Sequence, residues 1–333
     1  MVSFQAKRTL TVRRELFPIR GTFRISRGSK TEAAVVVAEI DDGGTVGRGE
    51  CVPYARYGET VEGVAAAIEE WAPAIAKGME RDDLHSVLPP GAARNALDCA
   101  LWDLEAKLTG VPVWQSLNLA CPPGPVTTAY TLSVDTPERM AEAARESAHR
   151  PLLKLKLTGE GDLDRVRAVR GNAPASRLIV DANEGWTLDQ LRHFGPLLAE
   201  LGVEMIEQPL PAGADDDLLG FRCPVPLGAD ESVHGLESLD ALRGKYQVAN
   251  IKLDKTGGLT EAMALKAACE AAGLDVMVGC MVATSLSMAP ALLVAQGARF
   301  VDLDGPLLLA RDREPGLRYE GATVHPAGPE LWG

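Results

Sequence analysis

Two hydrophobic rhythms divide this chain. Over the first third, Thr9–Leu16 alternates apolar and polar positions, and Ala33–Ile40 is a β-branched apolar run. Both patterns predict strands, with the Asp41-Asp42-Gly43-Gly44 turn returning the chain into a third, Thr45–Cys51. From Thr60 the period becomes helical, with Val61, Val64, Ala65, Ile68 and Trp71 as its apolar positions. Pro89-Pro90-Gly91 interrupts it. Ala92–Leu108 follows as an amphipathic helix carrying Leu97, Ala100, Leu101 and Leu104 and ending at Gly110. Two segments, Arg20–Lys30 and Gly49–Gly58, read as loops of the kind that cover a site on a neighbouring domain.

Cys121-Pro122-Pro123-Gly124-Pro125 breaks the chain, and beyond it a regular beat sets in. Short apolar stretches predict strands at 126–134, 152–157, 177–182, 204–208, 225–230, 248–253, 275–280 and 299–304. Helical segments separate most of them, among them 136–149, 187–201, 259–272 and 284–296. One strand roughly every 25 residues is the alternation of a parallel α/β barrel. A doubly wound open sheet is the alternative, disfavoured because no glycine fingerprint follows the first strand of the repeat and eight units favour closure. The expected organisation is an α+β unit over 1–120, a barrel over 121–310, and a Pro- and Gly-rich tail, 311–333, packing back on the first unit.

Composition narrows the function more than the fold. The 333 residues are 46% hydrophobic and 24% charged, with a formal net charge of −12. That acidity argues against a general nucleic-acid binder, although local arginines or a metal can still attract an anionic small molecule. The N-terminal stretch alternates and carries charges throughout, so neither a signal peptide nor a membrane span is expected, and no later run is long enough to cross a bilayer. Six cysteines without a CxxC pair suit reduced thiols in a cytoplasmic protein. A barrel has ample apolar helix surface for a homo-oligomer, but no stretch specifies one.

Candidate chemistry collects at the strand ends. In Leu152–Leu157, alternation puts Lys154 and Lys156 on one face. Neighbouring ammonium groups repel, which is expected to lower the pKa of each towards that of a proton acceptor. The next three strands end in Asp181, Glu207 and Asp230. Three carboxylates converging in one barrel mouth repel unless a cation neutralises them, and hard oxygen donors suit Mg²⁺, with Mn²⁺ able to substitute. Lys252 and Lys255 end the sixth strand, across the barrel from Lys154 and Lys156. A metal on a carboxylate or carbonyl oxygen acidifies the adjacent carbon, and lysines on its two faces can remove a proton from one side and return it on the other. Arg20, Arg24, Arg27 and Lys30 crowd the first loop and Arg56 sits in the second, a positive excess suited to an acidic group on the substrate. Arg24 and Arg27 are the candidates for that contact. The structural alternatives are lysines facing water on an edge strand, and acids that cap helices or pair with local arginines.

The motifs resemble those of the enolase superfamily, and within it the muconate-lactonising-enzyme subgroup. They are Lys154-x-Lys156, Asp181-x-Asn183, Glu207-Gln208-Pro209, Ala229-Asp230-Glu231-Ser232, Asn250-Ile251-Lys252 and Lys255-Thr256-Gly257-Gly258. The resemblance spans the barrel in order and implies a modified (β/α)7β barrel with an α+β capping domain built from the N-terminal part and the C-terminal tail. Asp302-Leu303-Asp304-Gly305 resembles the aspartate pair with which dipeptide epimerases of the subgroup hold the substrate's free ammonium group. Gly49–Tyr54, Ala92–Asp98 and Gly279-Cys280-Met281 are similar to segments of the same enzymes. By that resemblance Lys156 and Lys252, rather than Lys255, are the two bases, Lys154 tunes Lys156, and Thr131, Asp302 and Asp304 contact the substrate. The implied reaction is a Mg²⁺-dependent interconversion of L-Ala-D-Glu and L-Ala-L-Glu by 1,1-proton transfer through an enediolate. The alternatives are an epimerase of other dipeptides, an o-succinylbenzoate synthase or cycloisomerase, and, outside the class, a non-catalytic peptide-binding barrel.

Overall fold

The computed structural model describes residues 8–333. Strands β1 (Thr9–Ile25), β2 (Gly28–Asp42) and β3 (Thr45–Cys51) form an antiparallel sheet in that order. The helix Ala92–Thr109 packs on it, and Val36, Ala38, Ile40, Ala96, Leu97 and Leu101 belong to one buried apolar cluster between sheet and helices. The segment expected as a loop, Arg20–Lys30, is instead the far end of a long hairpin. After an irregularity between Pro18 and Phe23 the pairing resumes, with Phe23 opposite Lys30, Arg24 opposite Ser29 and Ile25 opposite Gly28. The two strands satisfy each other's backbone groups there, so their charged side chains do not prevent extension. Gly49–Gly58 does leave regular pairing at Cys51 and contains a single 3₁₀ turn, Ala55–Tyr57.

A two-residue strand, β4 (Val126–Thr127), leads into the barrel. Its eight strands are β5 (Tyr130–Leu132), β6 (Leu152–Lys156), β7 (Arg177–Asp181), β8 (Val203–Glu207), β9 (Leu227–Ala229), β10 (Val248–Ile251), β11 (Asp275–Val278) and β12 (Phe300–Val301). They lie side by side in sequence order with every neighbouring pair parallel. Ala129 N donates to the Val301 carbonyl at 2.7 Å, joining the first strand to the last. β12 is followed by one helical turn, Gly305–Leu308, and, among the described residues, no longer helix. Ala129, Leu152, Ile179, Met205, Val248, Met277 and Phe300 make an apolar plug inside the barrel. Because β6 alternates, the residues that share the face of Leu152 are Lys154 and Lys156, while Leu153 and Leu155 join the outer core under the helices. All five residues of β6 are buried between β5 and β7, which removes the edge-strand reading of its lysines.

The tail returns to the first unit. β13 (Tyr319–Glu320) and β14 (Thr323–Val324) form a small antiparallel sheet with β4. Trp332 Nε1 donates to the Cys99 carbonyl at 3.0 Å and Gly333 N to Asp103 Oδ1 at 2.7 Å. Arg313 donates to buried Glu50 at 2.6 Å, and Glu50 also accepts from the Thr284 hydroxyl, so hairpin sheet, barrel helix and tail share one ionic junction.

Candidate active site

Level strand ends create the site. Lys156 is in register with Asp181, Asp181 with Glu207, and Glu207 with Gly228, two residues before Asp230. One oxygen each from Asp181, Glu207 and Asp230 therefore falls within 4.8 Å of the others, all three groups buried. Neighbours orient them. Asn250 Nδ2 donates to Glu207 Oε1 at 2.6 Å. Gln208 Oε1 accepts from Asp230 N and Ser232 N, while its Nε2 donates to the Leu210 carbonyl, Ser232 Oγ and Tyr246 OH. Among the described residues Glu207 Oε2 has no directed hydrogen bond, although it lies 2.7 Å from Lys154 Nζ. A buried, unsatisfied carboxylate oxygen in an all-oxygen triad fits a hard divalent cation.

The lysines flank this triad. Lys154 Nζ donates to Asp302 Oδ2 at 2.9 Å; Lys156 Nζ lies 2.5 Å from Asp181 and Lys252 Nζ 2.6 Å from Asp230. β7, β8 and β9 separate the strands of Lys156 and Lys252, so the two stand on opposite sides of the carboxylates. Lys255 is buried out of reach, donating to Asp230 Oδ1, the Asp230 carbonyl and the Asn250 carbonyl. The expected lowering of Lys154 is reversed. Burial opposes its charge, but Asp302, Glu207 and Asp181 outweigh burial and hold its pKa well above the ordinary value. Lys252 is likewise raised, burial being overcome chiefly by Asp230. Carboxylates at hydrogen-bond distance dominate over the neighbouring ammonium. Burial, reinforced by Asp181, pushes Glu207 up to about 7. Asp230 stays well below the usual carboxylate range because Lys252 and Lys255 more than offset its burial.

A cavity of about 430 Å³ opens above the triad, lined by the hairpin, the Tyr54–Tyr57 turn, Thr131, Lys154, Lys156, Asp230, Lys252, Asp302 and Asp304. Asp304 Oδ2 accepts from Thr131 N at 2.6 Å, and Asp302 Oδ1 has no hydrogen-bond partner among the described residues. Burial and the nearby Asp302 carboxylate push Asp304 up to about 7. Two crowded, buried acids with an orphaned oxygen favour a cation between them.

The loop arginines are distributed differently from expectation. Arg24 does not line the cavity: alternation turns Phe23 and Ile25 inward and sends Arg24 outward to Asp135, 3.1 Å away. Arg27 lines the cavity, but its guanidinium is committed to Glu231 at 2.6 Å, the Asn183 carbonyl at 2.9 Å, and Glu184 and Tyr54 OH at 3.1 Å. Arg20 donates to the Leu309 carbonyl and Arg56 makes two bonds to Glu184. Lys30 lines the cavity 5.6 Å from the Tyr54 ring and has no acidic partner within 4 Å among the described residues. Sequence reasoning placed Lys30 in the cationic cluster but had no means of separating it from the arginines. Gln208 and Asn250 stood inside recognised motifs without a role, because their partners are remote in sequence.

Arg27→Ala is expected to free the hairpin tip and leave buried Glu231 without its cation. The Michaelis constant should rise roughly tenfold, equivalent to about 1.4 kcal/mol of binding. Steady-state kinetics checks this, and an unchanged KM sinks the anchoring role.

Comparison with known proteins places the chain. Residues 138–328 match the family described as enolase C-terminal domain-like, and residues 7–117 match the mandelate racemase / muconate lactonizing enzyme N-terminal domain. L-Ala-D/L-Glu epimerase of Escherichia coli K12 is 46% identical over 96% of this chain and 99% of that protein. An N-acetyl-D-glutamate racemase of a Pseudoalteromonas species is also 46% identical, over 90% of this chain and 95% of its own. A crystal structure of an enolase-family member from Agrobacterium tumefaciens, with homology to dipeptide epimerases and with sodium and L-Ala-L-Glu bound, superposes with a TM-score of 0.96 at 56% identity, covering 98% of this chain and all of that one. The ordered carboxylate triad, its flanking lysines and these likenesses agree: the chain belongs to the mandelate racemase/muconate lactonizing enzyme family of the enolase superfamily.

Proposed function

We propose that this protein is a Mg²⁺-dependent epimerase of L-Ala-D-Glu and L-Ala-L-Glu. The observation that carries the reading is the pair Asp302 and Asp304: two buried cavity acids, one with an unpartnered oxygen, call for a cation such as the free ammonium group of a dipeptide. Its relatives from E. coli and A. tumefaciens, named for or solved with this substrate class, support it. Asp181, Glu207 and Asp230 would hold the metal. Mg²⁺ bound there would draw electron density from the substrate's carboxylate, acidify the α-carbon, and share the negative charge of Asp230 that otherwise holds Lys252 as an ammonium. Lys156 and Lys252 face the α-carbon from opposite sides; one accepts the proton at a neutral Nζ while the other delivers one from its ammonium. Lys154, enclosed by Asp302, Glu207 and Asp181, stays charged and orients Asp302. Thr131 N fixes Asp304. Lys30 offers a cation to the side-chain carboxylate of the second residue.

A second reading, racemisation of N-acetylglutamate, is favoured by the Pseudoalteromonas relative. It would use the same triad and bases, but an acetamido group brings no positive charge to Asp302 and Asp304. Incubation of L-Ala-L-Glu and of N-acetyl-D-glutamate in deuterated water with Mg²⁺ separates the two. Deuterium at the glutamyl α-carbon of the dipeptide is the expected result; its appearance in N-acetylglutamate alone overturns the proposal. Lys30→Ala should raise KM for L-Ala-L-Glu by roughly tenfold. It should affect L-Ala-L-Ala far less, and an equal effect on both dipeptides argues against the contact. No helix among the described residues is long and apolar enough to cross a membrane, and the six free cysteines suit a reducing, cytoplasmic compartment.

A further inference from the structure

One face of the helix Ala92–Thr109 reaches across to the segment that follows Lys252. Lys252 immediately precedes a four-residue helical turn, Leu253–Thr256. Asn95 Nδ2 donates to Asp254 Oδ1 at 2.8 Å, and the same oxygen accepts from Val52 N, a residue of the cavity wall, at 3.0 Å. Arg94 donates to the carbonyls of Thr256 at 2.6 Å and Gly257 at 3.1 Å. Asp98 accepts from Thr260 N at 3.1 Å and from its hydroxyl at 2.6 Å, and Trp102 Nε1 donates to that hydroxyl at 2.9 Å. Positions 95, 98 and 102 recur at helical spacing, so a single face makes these bonds.

Gly257 and Gly258 make the approach sterically feasible. Their φ angles are +72° and +119°. A Cβ would lie 2.5 Å from Arg94 Nε in the first case and 2.4 Å from Asp98 Oδ2 in the second. This contact accounts for the Ala92–Asp98 and Thr256-Gly257-Gly258 motifs, neither of which lines the cavity. The segment carrying Lys156 is held differently. Residues 152–161 make no hydrogen bond to residues 8–117; Leu157 N bonds to the Asp181 carbonyl, and Thr158 N and Gly159 N bond to Asp162.

We infer that this helix positions only one of the two bases: Asn95 and Asp254 set Lys252 against the cap, whereas Lys156 is set by the barrel alone. The inference rests on the two-base reading above. Because the overall equilibrium between epimers is fixed, the asymmetry shows in how fast each epimer exchanges its own α-proton with solvent. In the full-length protein with Mg²⁺, Lys252→Ala first identifies which of L-Ala-L-Glu and L-Ala-D-Glu loses exchange in deuterated water. Asp254→Ala should then slow exchange of that same epimer at least tenfold and of the other less than twofold. Asp254→Asn, whose amide oxygen can accept both bonds, should recover most of the loss. Equal losses from both epimers, or none from either, overturn the inference. If Asp254→Ala does not give the native circular dichroism spectrum, Trp102→Phe removes one bond while keeping an aromatic ring, and should show the same asymmetry at two- to threefold; its absence is equally fatal. Should Lys252→Ala suppress both epimers alike, the two-base reading itself fails and takes the inference with it.

Discussion

Lys252→Ala should abolish net epimerisation, with a loss of roughly 10³-fold or more, while exchange of the α-proton persists from one epimer. Lys156→Ala should give the mirror pattern. The physical basis is placement: Lys156 and Lys252 stand on strands separated by the three carboxylate-bearing ones, each within 2.6 Å of its nearest carboxylate. Neither lysine can reach round the triad to serve the other's face. Gross unfolding is not expected for Lys252→Ala, because Asp230 keeps the ammonium of Lys255 at 2.6 Å. Mass spectrometry of each epimer after incubation in deuterated water is the measurement. Complete loss of exchange from both epimers in either variant would rule out a division of labour between two bases.

Chelation with EDTA should remove activity and Mg²⁺ should restore it. Asp230→Asn should lower turnover by roughly 10³-fold in saturating Mg²⁺, since it takes away a ligand and disturbs the partner of Lys252. Metal affinity should depend on pH with a definite sign. Glu207 must be ionised to ligate, and burial beside Asp181 pushes it up to about 7 from an ordinary 4.5. Affinity should therefore rise about tenfold per pH unit from about 5 to about 7 and level off above. Asp181 and Asp230 are lowered, ionise before this window, and add no slope within it. For folding the sign is opposite. Before a cation binds, the folded state holds the Glu207 proton more tightly than the unfolded chain, so this group's contribution to stability falls between about 4.5 and 7, and Mg²⁺ should flatten that decline. Calorimetric titration across the range is the check, and a pH-independent affinity between about 5 and 8 would contradict the assignment.

How much of this was legible depended on whether the cause was local. Alternation in Leu152–Lys156 is a property of five consecutive residues, and the shared face of Lys154 and Lys156 follows from it. The same holds for an acid at the end of each of three successive apolar strands. The hairpin over Thr9–Asp42 was harder, because its charged end, Arg20–Lys30, extends only by pairing with itself. That pairing also decides which side chains face the cavity, and it removes Arg24 from it.

The amino-acid order by itself determined the eight-strand beat, the carboxylates at the third, fourth and fifth strand ends, and lysines on the strands either side. Each is set by a period of two within a strand and by where that strand stops. Only the tertiary structure decided the sign of the Lys154 shift, which comes from Asp302, Glu207 and Asp181 together, the first of them across the barrel closure and 148 residues away. It also decided that Arg27 and Arg56 are spent on Glu184 and Glu231 while Lys30 has no acidic partner among the described residues, and that a cap helix grips the turn after Lys252. Charge interactions fall off with distance in space, and spacing along the chain does not encode which distant groups will meet.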